Sequence, residues 1–215
     1  MTAGTRGRFI TLEGGEGAGK STHIALLADA LAAGGIDVLT TREPGGSPGA
    51  EAIRGLLVEG AVDRWDAMTE ALLHYAARRD HLTATVWPAL ESGRWVLSDR
   101  FADSTMAYQG YGHGLDRAVV AALHQSVVGD FRPDLTLILD LPPETGLARA
   151  AGRGPAEARY ERMDLSFHQR LREGFLDIAR QDTARCVVVD AEPVTDAVQK
   201  EIRRAVSQRL GLDLT

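Results

Sequence analysis

The chain has 215 residues, of which 44% are hydrophobic and 25% charged, and its formal net charge is −6. This is the composition of a folded protein, and it excludes a largely disordered chain, which would have few apolar residues and a high net charge. The length predicts one domain over 1–215, and the acidic balance argues against a nucleic-acid partner, which would need clustered positive charge.

Short apolar runs alternate along the chain with longer segments of helical periodicity. In chain order the predicted elements are strand 8–13, helix 21–33, strand 36–40, helix 50–59, helix 69–91, strand 94–98, helix 115–128, strand 135–140, helix 143–151, helix 167–181, strand 186–189 and helix 194–210. A break is expected near Pro88. Apolar strands separated by helices favour an α/β fold with a five-stranded parallel sheet that is covered on both faces.

Cysteine content and apolar runs indicate the cellular compartment in which the protein is expected. Cys186 is the only cysteine, so no intrachain disulfide and no cysteine-based metal site can form. The N-terminal residues lack the apolar stretch of a secretory signal, and no segment approaches the ~18 apolar residues that span a bilayer. These features predict a soluble, cytoplasmic protein without a membrane partner.

A phosphate-binding motif joins the first predicted strand to the helix that follows. The residues from Gly14 to Ser21 match G-x-x-x-x-G-K-[ST], and Lys20 in this motif is one of only two lysines in the chain. Glycines let backbone N–H groups surround phosphate oxygens, and the helix N-terminus adds partial positive charge. Lys20 is expected to reach the β- and γ-phosphates and the Ser21 hydroxyl to bind Mg²⁺. The predicted ATP-binding residues are Gly14, Gly15, Glu16, Gly17, Ala18, Gly19, Lys20, Ser21 and Thr22.

Three classes of protein share this loop. A GTPase would read guanine with Asn-Lys-x-Asp, but the chain contains no asparagine. A motor or transport ATPase usually has a hydrophobic strand that ends in Asp-Glu. A small kinase needs several cations around the transferred phosphoryl group, because charge spreads over its oxygens in the transition state. The arginines of this chain favour the kinase.

Asp99 and Arg100 follow the third predicted strand, at the carboxyl end of the sheet, where ligands of open α/β folds bind. We expect Asp99 to hold Mg²⁺ through water and Arg100 to bind a substrate phosphate. The alternative is a salt bridge at the end of a strand.

A Gly- and Pro-interrupted segment after the fourth strand is rich in arginine. It contains Arg149, Arg153, Arg159 and Arg162. Such a segment suits a mobile lid, at about 149–163, that excludes water and brings an arginine to the γ-phosphate. A solvated helix face would carry the same charges.

Five stretches of sequence resemble those of bacterial thymidylate kinases, in the family's order and spacing. They are EGGEGAGKST at 13–22, TREPGG at 41–46, YAARR at 75–79, DRFADSTMAYQ at 99–109 and FRPDLT at 131–136. The resemblance covers about 8–205 and implies a P-loop kinase fold with a helical lid. It also implies transfer of a phosphoryl group from ATP to dTMP with Mg²⁺, usually in a homodimer. Another nucleotide kinase and a non-catalytic nucleotide-binding module are the alternatives.

The resemblance also implies roles for residues of the acceptor site. Glu16 would meet the 3′-hydroxyl of dTMP, Arg100 its phosphate and Tyr108 its deoxyribose. Arg78 would donate to a thymine carbonyl. The other residues expected around dTMP are Arg42, Pro44, Arg54, His74, Thr105 and Gln109.

Two positions bear on how this chain follows the family pattern. Gly17 stands where one branch of the family has an arginine, so the catalytic arginine is expected from the lid, as Arg153, with Arg149 or Arg159 as the alternative. His74 stands where the family generally has a phenylalanine that stacks on thymine. Either the imidazole stacks there, or Tyr75 or Phe101 takes over the stacking.

Overall fold

The sheet consists of five parallel strands, confirming the predicted fold class. A computed structural model describes residues 6–151 and 159–214. The strand order is β2-β3-β1-β4-β5. The strands are β1 (Phe9–Glu13), β2 (Val38–Arg42), β3 (Trp95–Asp99), β4 (Leu135–Asp140) and β5 (Cys186–Asp190).

Helices connect the strands and cover both faces of the sheet. They are α1 (Lys20–Ala33), α2 (Pro48–Val58), α3 (Ala67–His81), α4 (Trp87–Glu91), α5 (Ala102–Thr105), α6 (Arg117–Val127), α7 (Pro143–Ala150), α8 (Leu165–Gln181) and α9 (Thr195–Leu210). Within the two described ranges, no helix has the length and apolar character that crossing a membrane requires.

Alternation along β1 assigns its side chains to the two sides of the sheet. Ile10 and Leu12 lie in the core that α1 and α9 cover, together with Leu27 and Ile202. Phe9 lies in the core on the opposite side. Glu13 continues the alternation on the Phe9 side, which directs a buried carboxylate toward the helices that carry the acceptor residues.

The expected break near Pro88 does not interrupt the helix. A π-helical turn (Leu82–Val86) joins α3 to α4 without a gap, and the Trp87 N–H donates to the Leu82 carbonyl. Pro88 lies in the first turn of α4, directly after the π-helical turn, so the residue without a backbone N–H falls where the helical hydrogen-bond pattern changes.

The sequence pattern also gave no sign of the helix after β3. Here α5 continues into π-helical turns (Met106–Gly112). Polar side chains occupy buried positions of this stretch, among them Ser104, Thr105 and Gln109. Apolar periodicity is therefore missing, because these side chains serve the cleft and not the core.

The sheet register brings three distant segments together at one edge. Leu12 of β1 and Arg42 of β2 are both paired with Asp99 of β3. The Glu43 N–H donates to the Asp99 carbonyl at 2.9 Å, and the Arg100 N–H donates to the Leu12 carbonyl at 3.0 Å. The loops that follow these strands therefore enclose one cleft.

Candidate active site

The phosphate loop has its lysine folded back onto its own backbone. Lys20 Nζ donates to the carbonyl oxygens of Gly14 at 3.1 Å and Gly15 at 2.8 Å. Burial, and after it the charge of Arg100, lower the pKa of Lys20 to about 8. An ammonium group held this way can exchange carbonyl contacts for the oxygens of an entering phosphate.

Close contact with α7 requires glycine at position 17. Gly17 has φ +70°, and a Cβ there would lie 2.0 Å from the Gly146 carbonyl oxygen. An arginine at this position would therefore displace α7. The loop itself provides no arginine, and the local packing explains why.

Ser21 and Asp99, the two predicted metal ligands, are in direct contact. Ser21 Oγ donates to Asp99 Oδ2 at 2.7 Å, and both residues line the cleft. A hydroxyl and a carboxylate are oxygen ligands of the kind Mg²⁺ takes. Among the described residues, no cluster of three or more His, Cys, Asp or Glu side chains could hold a metal.

Arg100 has the only positive φ among the described non-glycine residues, at +73°. A side chain in this region costs about 1–3 kcal/mol, which the surrounding contacts must outweigh. Arg100 Nη1 donates to the Gly14 carbonyl at 2.9 Å, and Nη2 donates to Glu16 Oε1 at 3.1 Å. The strained backbone thus turns the guanidinium toward the phosphate loop.

Glu16 is held ionised by its neighbours. Burial alone would raise its pKa, but the charges of Arg100 and Lys20 and the Tyr108 hydrogen bond lower it to about 2. Tyr108 donates its hydroxyl to Glu16 Oε1 at 2.5 Å, and the Arg100 guanidinium lies 4.9 Å from the centre of the Tyr108 ring. The carboxylate is therefore a fixed hydrogen-bond acceptor beside the cationic end of the cleft.

Glu13, for which the sequence predicted no role, holds the turn that carries Arg100. Its carboxyl group accepts a hydrogen bond from the Phe101 N–H at 2.7 Å through Oε1 and is hydrogen-bonded to the Ser104 hydroxyl at 2.5 Å through Oε2. Burial, and then the charge of Asp103, raise the pKa of Glu13 to about 8. The turn that carries Arg100 is thereby tied to the end of β1.

At the opposite end of the cleft, Arg78 was expected to reach the base from the cleft wall, but it is buried and absent from the residues that line the cleft, and one arm of its guanidinium is unused. Its Nε donates to Glu43 at 2.7 Å, and its Nη2 donates to the Phe101 carbonyl and to Thr105 Oγ1. Nη1 is buried without a partner among the described residues. Thr105 therefore orients Arg78 and is absent from the cleft wall, where a direct contact with the base had been expected.

Gln109 shows the same lack of partners at this end of the cleft. Its side chain is fully buried, lines the cleft and has neither its amide oxygen nor its amide nitrogen paired within the described residues. Unpaired buried polar groups are costly and rare in native proteins. The donor of Arg78 and the donor and acceptor of Gln109 match a ligand with both kinds of group.

His74 is the aromatic side chain of α3 that faces the cleft. Tyr75 and Phe101 instead lie in the core on the Phe9 side of the sheet, so neither is placed to take over the stacking. Burial, and then Arg78, lower the pKa of His74 to about 3, so the imidazole is neutral. Its Nε2 is 3.0 Å from the Tyr160 hydroxyl.

The cleft has a volume of about 470 Å³. The predicted residues that line it are Glu16, Gly17, Ala18, Gly19, Lys20, Ser21, Arg42, Pro44, Arg54, His74, Asp99, Arg100, Tyr108 and Gln109. Of the predicted loop residues, Gly14 and Gly15 lie behind it and Thr22 faces a neighbouring pocket. The Arg42 guanidinium pairs with Glu51 at 3.2 Å, and Arg54 Nη1 donates to the Pro44 carbonyl at 2.6 Å.

Residues that the sequence did not single out also line the cleft. They are Val58, Ser104, Tyr160 and Glu161, whereas Glu43 belongs to the turn at 42–44 that was expected to line the cleft. Tyr160 lies between two of the arginines that marked the predicted lid. This position was the one feature of the sequence that could have indicated a place in the cleft. The partners of Glu43 and Ser104 come from distant segments, which a single sequence does not reveal.

The arginines of the predicted lid have different surroundings. Arg153 lies outside the described residues. Arg149 donates to the carbonyl oxygens of Ala191 and Glu192, each at 3.0 Å, beside the neighbouring pocket. Arg159 is fully buried against Glu70 and three backbone carbonyls. In this conformation Arg159 is a structural residue and not a candidate for the transferred phosphoryl group.

Comparisons with known proteins place this geometry in a family. The sequence profile described as thymidylate kinase matches residues 12–202. Thymidylate kinase from Caulobacter vibrioides is 60% identical over 208 residues, which are 97% of this chain and 100% of the relative. The enzyme of the same name from Magnetococcus marinus is 52% identical, covering 95% of this chain and 97% of its own. A crystal structure of thymidylate kinase from Ehrlichia chaffeensis has a TM-score of 0.75 and 35% identity, covering 94% of this chain and 99% of that one.

Proposed function

The chain belongs to the thymidylate kinase family, and from that premise we propose how its residues transfer the γ-phosphoryl group of ATP to dTMP. The reaction gives ADP and dTDP and is a step of dTTP synthesis. The acceptor phosphate brings its own nucleophilic oxygen, so catalysis depends on positioning and charge neutralisation and not on a strong general base.

The observation that carries the assignment of the acceptor site is the pair of unpaired buried groups, Arg78 Nη1 and the Gln109 amide. Thymine offers carbonyl oxygens to a donor and an imino N–H to an acceptor, so it would pair both groups at once. His74 would lie against the face of the base. Neither water nor an apolar ligand would need a donor and an acceptor placed in this arrangement.

The sugar and the acceptor phosphate would occupy the other end of the cleft. Glu16, held ionised, accepts the 3′-hydroxyl, and Tyr108 packs under the deoxyribose, where a 2′-hydroxyl has little room. Arg100 binds the acceptor phosphate. The contacts of Arg100 with Glu16 and Gly14 already aim it at the junction of the two substrates. Arg42, Pro44, Arg54 and Thr105 complete or support this site.

ATP would bind with its phosphates in the loop from Gly14 to Thr22. Backbone N–H groups and Lys20 surround the β- and γ-phosphates, and a pocket of about 650 Å³ beside the loop, lined by Arg149 and the segment after β5, is open to the rest of the nucleotide. Ser21 and Asp99 would hold Mg²⁺, which when bound neutralises charge on the phosphates.

The chain would act as one domain in which 149–163 forms the lid. Arg153 is our candidate for the arginine that reaches the transferred phosphoryl group, because Gly17 leaves no room for one in the loop and both Arg149 and Arg159 are engaged elsewhere. Replacing Arg153 with alanine should lower kcat far more than it raises the KM for dTMP. Intact turnover would return the role to Arg149.

We place a homodimer interface on α2 and α3. Of the seven large hydrophobic side chains exposed in the described parts of the chain, Leu56, Val62, Met68 and Leu72 belong to this region, and Leu72 is 50% exposed. Contiguous apolar surface of this kind marks association sites. Leu72→Glu should give a monomer by light scattering, whereas Val188→Glu, at the edge of β5, should leave the mass unchanged.

A panel of phosphoryl acceptors tests the function. ADP release would be measured with dTMP, dUMP, dCMP, dGMP and thymidine under identical conditions. The highest kcat/KM is expected with dTMP. Faster turnover of another acceptor would indicate another nucleotide kinase, and slow ATP loss independent of any acceptor would indicate a nucleotide-binding module.

A further inference from the structure

Tyr160 lies where a chain of hydrogen bonds enters the acceptor cleft. Its hydroxyl donates to Glu70 Oε1 at 2.6 Å, and the same hydroxyl is 3.0 Å from His74 Nε2. Its ring meets the Tyr108 ring edge-on, with centroids 5.2 Å apart. One side chain thus touches both the candidate base-stacking residue and the candidate sugar-packing residue.

The position of Tyr160 is fixed from two sides. On one side Arg159, directly before it, forms a fully buried ion pair with Glu70 and donates to the carbonyl oxygens of Leu57, Ala61 and Val62. On the other side the His168 ring is hydrogen-bonded to the Tyr160 backbone carbonyl. A buried ion pair whose arginine also donates to three carbonyl oxygens holds its segment in place, because breaking it leaves an uncompensated charge.

The hydrogen-bond chain determines which nitrogen of His74 carries the proton. Glu70 Oε1 accepts from Arg159, and the Tyr160 hydroxyl donates to the same oxygen. The Tyr160 oxygen is then the acceptor for His74 Nε2, which must be the protonated nitrogen. Nδ1 keeps its lone pair, and it has no protein partner among the described residues.

We propose that Tyr160 is a positioning residue for dTMP, which fixes the tautomer and the ring orientation of His74 through its hydroxyl. The inference rests on the proposed acceptor site. A phenyl ring at position 74 would need no such partner, since its two faces and its edge carry no hydrogen-bonding atom. An imidazole has two distinct nitrogens, and without Tyr160 it can rotate about χ2 or change tautomer, so it would be less well prepared for the base.

A double-mutant cycle of Tyr160→Phe and His74→Phe tests this coupling. In the wild-type background, Tyr160→Phe should raise the KM for dTMP about fivefold, the loss of one neutral hydrogen bond, with kcat and the KM for ATP within about twofold. In the His74→Phe background the same change should raise the KM for dTMP less than about twofold, since no nitrogen remains to be oriented.

Tyr111→Phe is the matched control. The Tyr111 hydroxyl also donates to a carboxylate, Asp177, and accepts from a cationic side chain, Arg117, but it lies outside the cleft. Its removal should leave the KM for dTMP unchanged. Thermal unfolding of all variants shows whether each is folded.

A spectroscopic measurement on the free enzyme is independent of turnover. Long-range ¹H–¹⁵N correlation spectra should show His74 protonated at Nε2 in the wild type and a changed tautomer population in Tyr160→Phe. Equal KM effects of Tyr160→Phe in both backgrounds, or an Nδ1-protonated His74 in the wild type, would overturn the inference. A wild-type enzyme inactive with dTMP would instead defeat the proposed acceptor site, which separates the two failures.

Discussion

The two ends of the cleft are built in different ways. At the phosphate end, Lys20 and Arg100 have their hydrogen bonds satisfied by the carbonyl groups of the loop and by Glu16. At the base end, Arg78 keeps an unused donor, and the side-chain amide of Gln109 has no partner within the described chain. The polar groups of the phosphate end are paired within the protein, whereas those of the base end are left for a ligand.

The proposed substrates would account for this difference, because their two parts differ in chemistry. A phosphate is a strong anion that can displace carbonyl contacts, so cations can stay hydrogen-bonded to the loop until it binds. A base is neutral, and its recognition depends on donors and acceptors that face nothing else. Paired groups at the phosphate end stabilise the fold and hold the cations in place. Unpaired groups at the base end favour selectivity and lower the stability.

The largest effect should come from Lys20→Ala, which removes the only lysine of the phosphate end. kcat should fall about 10²–10³-fold, the loss found when one donor to transition-state charge is removed, while dTMP affinity changes little. Steady-state kinetics and calorimetric dTMP titration would measure both. Lys200→Ala, at the exposed second lysine on α9, is the control. A loss of dTMP affinity equal to the loss of kcat would contradict the separation of the two ends.

Glu13 lies between the two ends and predicts a pH dependence of stability. Burial and Asp103 raise its pKa from the ordinary 4.5 to about 8, so the folded state keeps a proton that the unfolded state releases between these values. The free energy of unfolding should therefore fall as pH rises through this window. Glu13→Gln should remove this decline. Relative to the wild type, its free energy of unfolding should therefore rise by up to about 1.4 kcal/mol per pH unit in this window.

Urea unfolding at pH 5, 6.5 and 8 would measure the Glu13 effect. Glu51→Gln is the control: hydrogen bonding to the Gly46 N–H lowers the pKa of Glu51 from 4.5, so the difference between this variant and the wild type should stay constant from pH 5 to 8. That carboxylate stabilises the fold above its ordinary pKa and ceases to do so as pH falls. A constant difference between Glu13→Gln and the wild type across the three pH values would show that Glu13 is ionised in the fold.

A smaller effect is expected at the base end from Gln109→Leu. Removing a buried group without partners should raise the free energy of unfolding by about 1 kcal/mol, and it should raise the KM for dTMP about tenfold. The KM for ATP should stay the same. Thermal unfolding and acceptor kinetics test the two signs together, and Gln125→Leu, on the exposed side of α6, is the control. Destabilisation with an unchanged KM would mean that Gln109 supports the fold and not the ligand.

At the phosphate end, the position of the loop residues and the proximity of Ser21 to Asp99 could be predicted from the sequence, whereas their roles toward ATP and Mg²⁺ stay predictions. Ser21 and Asp99 are 78 residues apart, yet parallel strands end at one edge of the sheet, and the two side chains are hydrogen-bonded there. The strands were likewise predicted within a few residues, because each is a short apolar run bounded by Gly, Pro or polar residues.

The base end was predicted less completely. Thr105 was expected at the base edge and instead holds Arg78, and the stretch from Ala102 to Gly112 gave no sign of being helical. Its buried positions carry polar side chains, so periodicity could not identify it. Tyr160 had no predicted role, because its partners Glu70 and His74 lie 90 and 86 residues away in the chain.

The sequence alone determined the α/β sheet, the phosphate loop and the two basic side chains beside that loop, Lys20 and Arg100. These depend on local patterns and on the common edge of parallel strands. Tertiary structure alone decided which side chains of the base end are paired and which are left for a ligand. Hydrogen-bond satisfaction is a property of the whole neighbourhood, and the neighbourhood of Arg78, Gln109 and His74 is assembled from segments that are far apart in the chain.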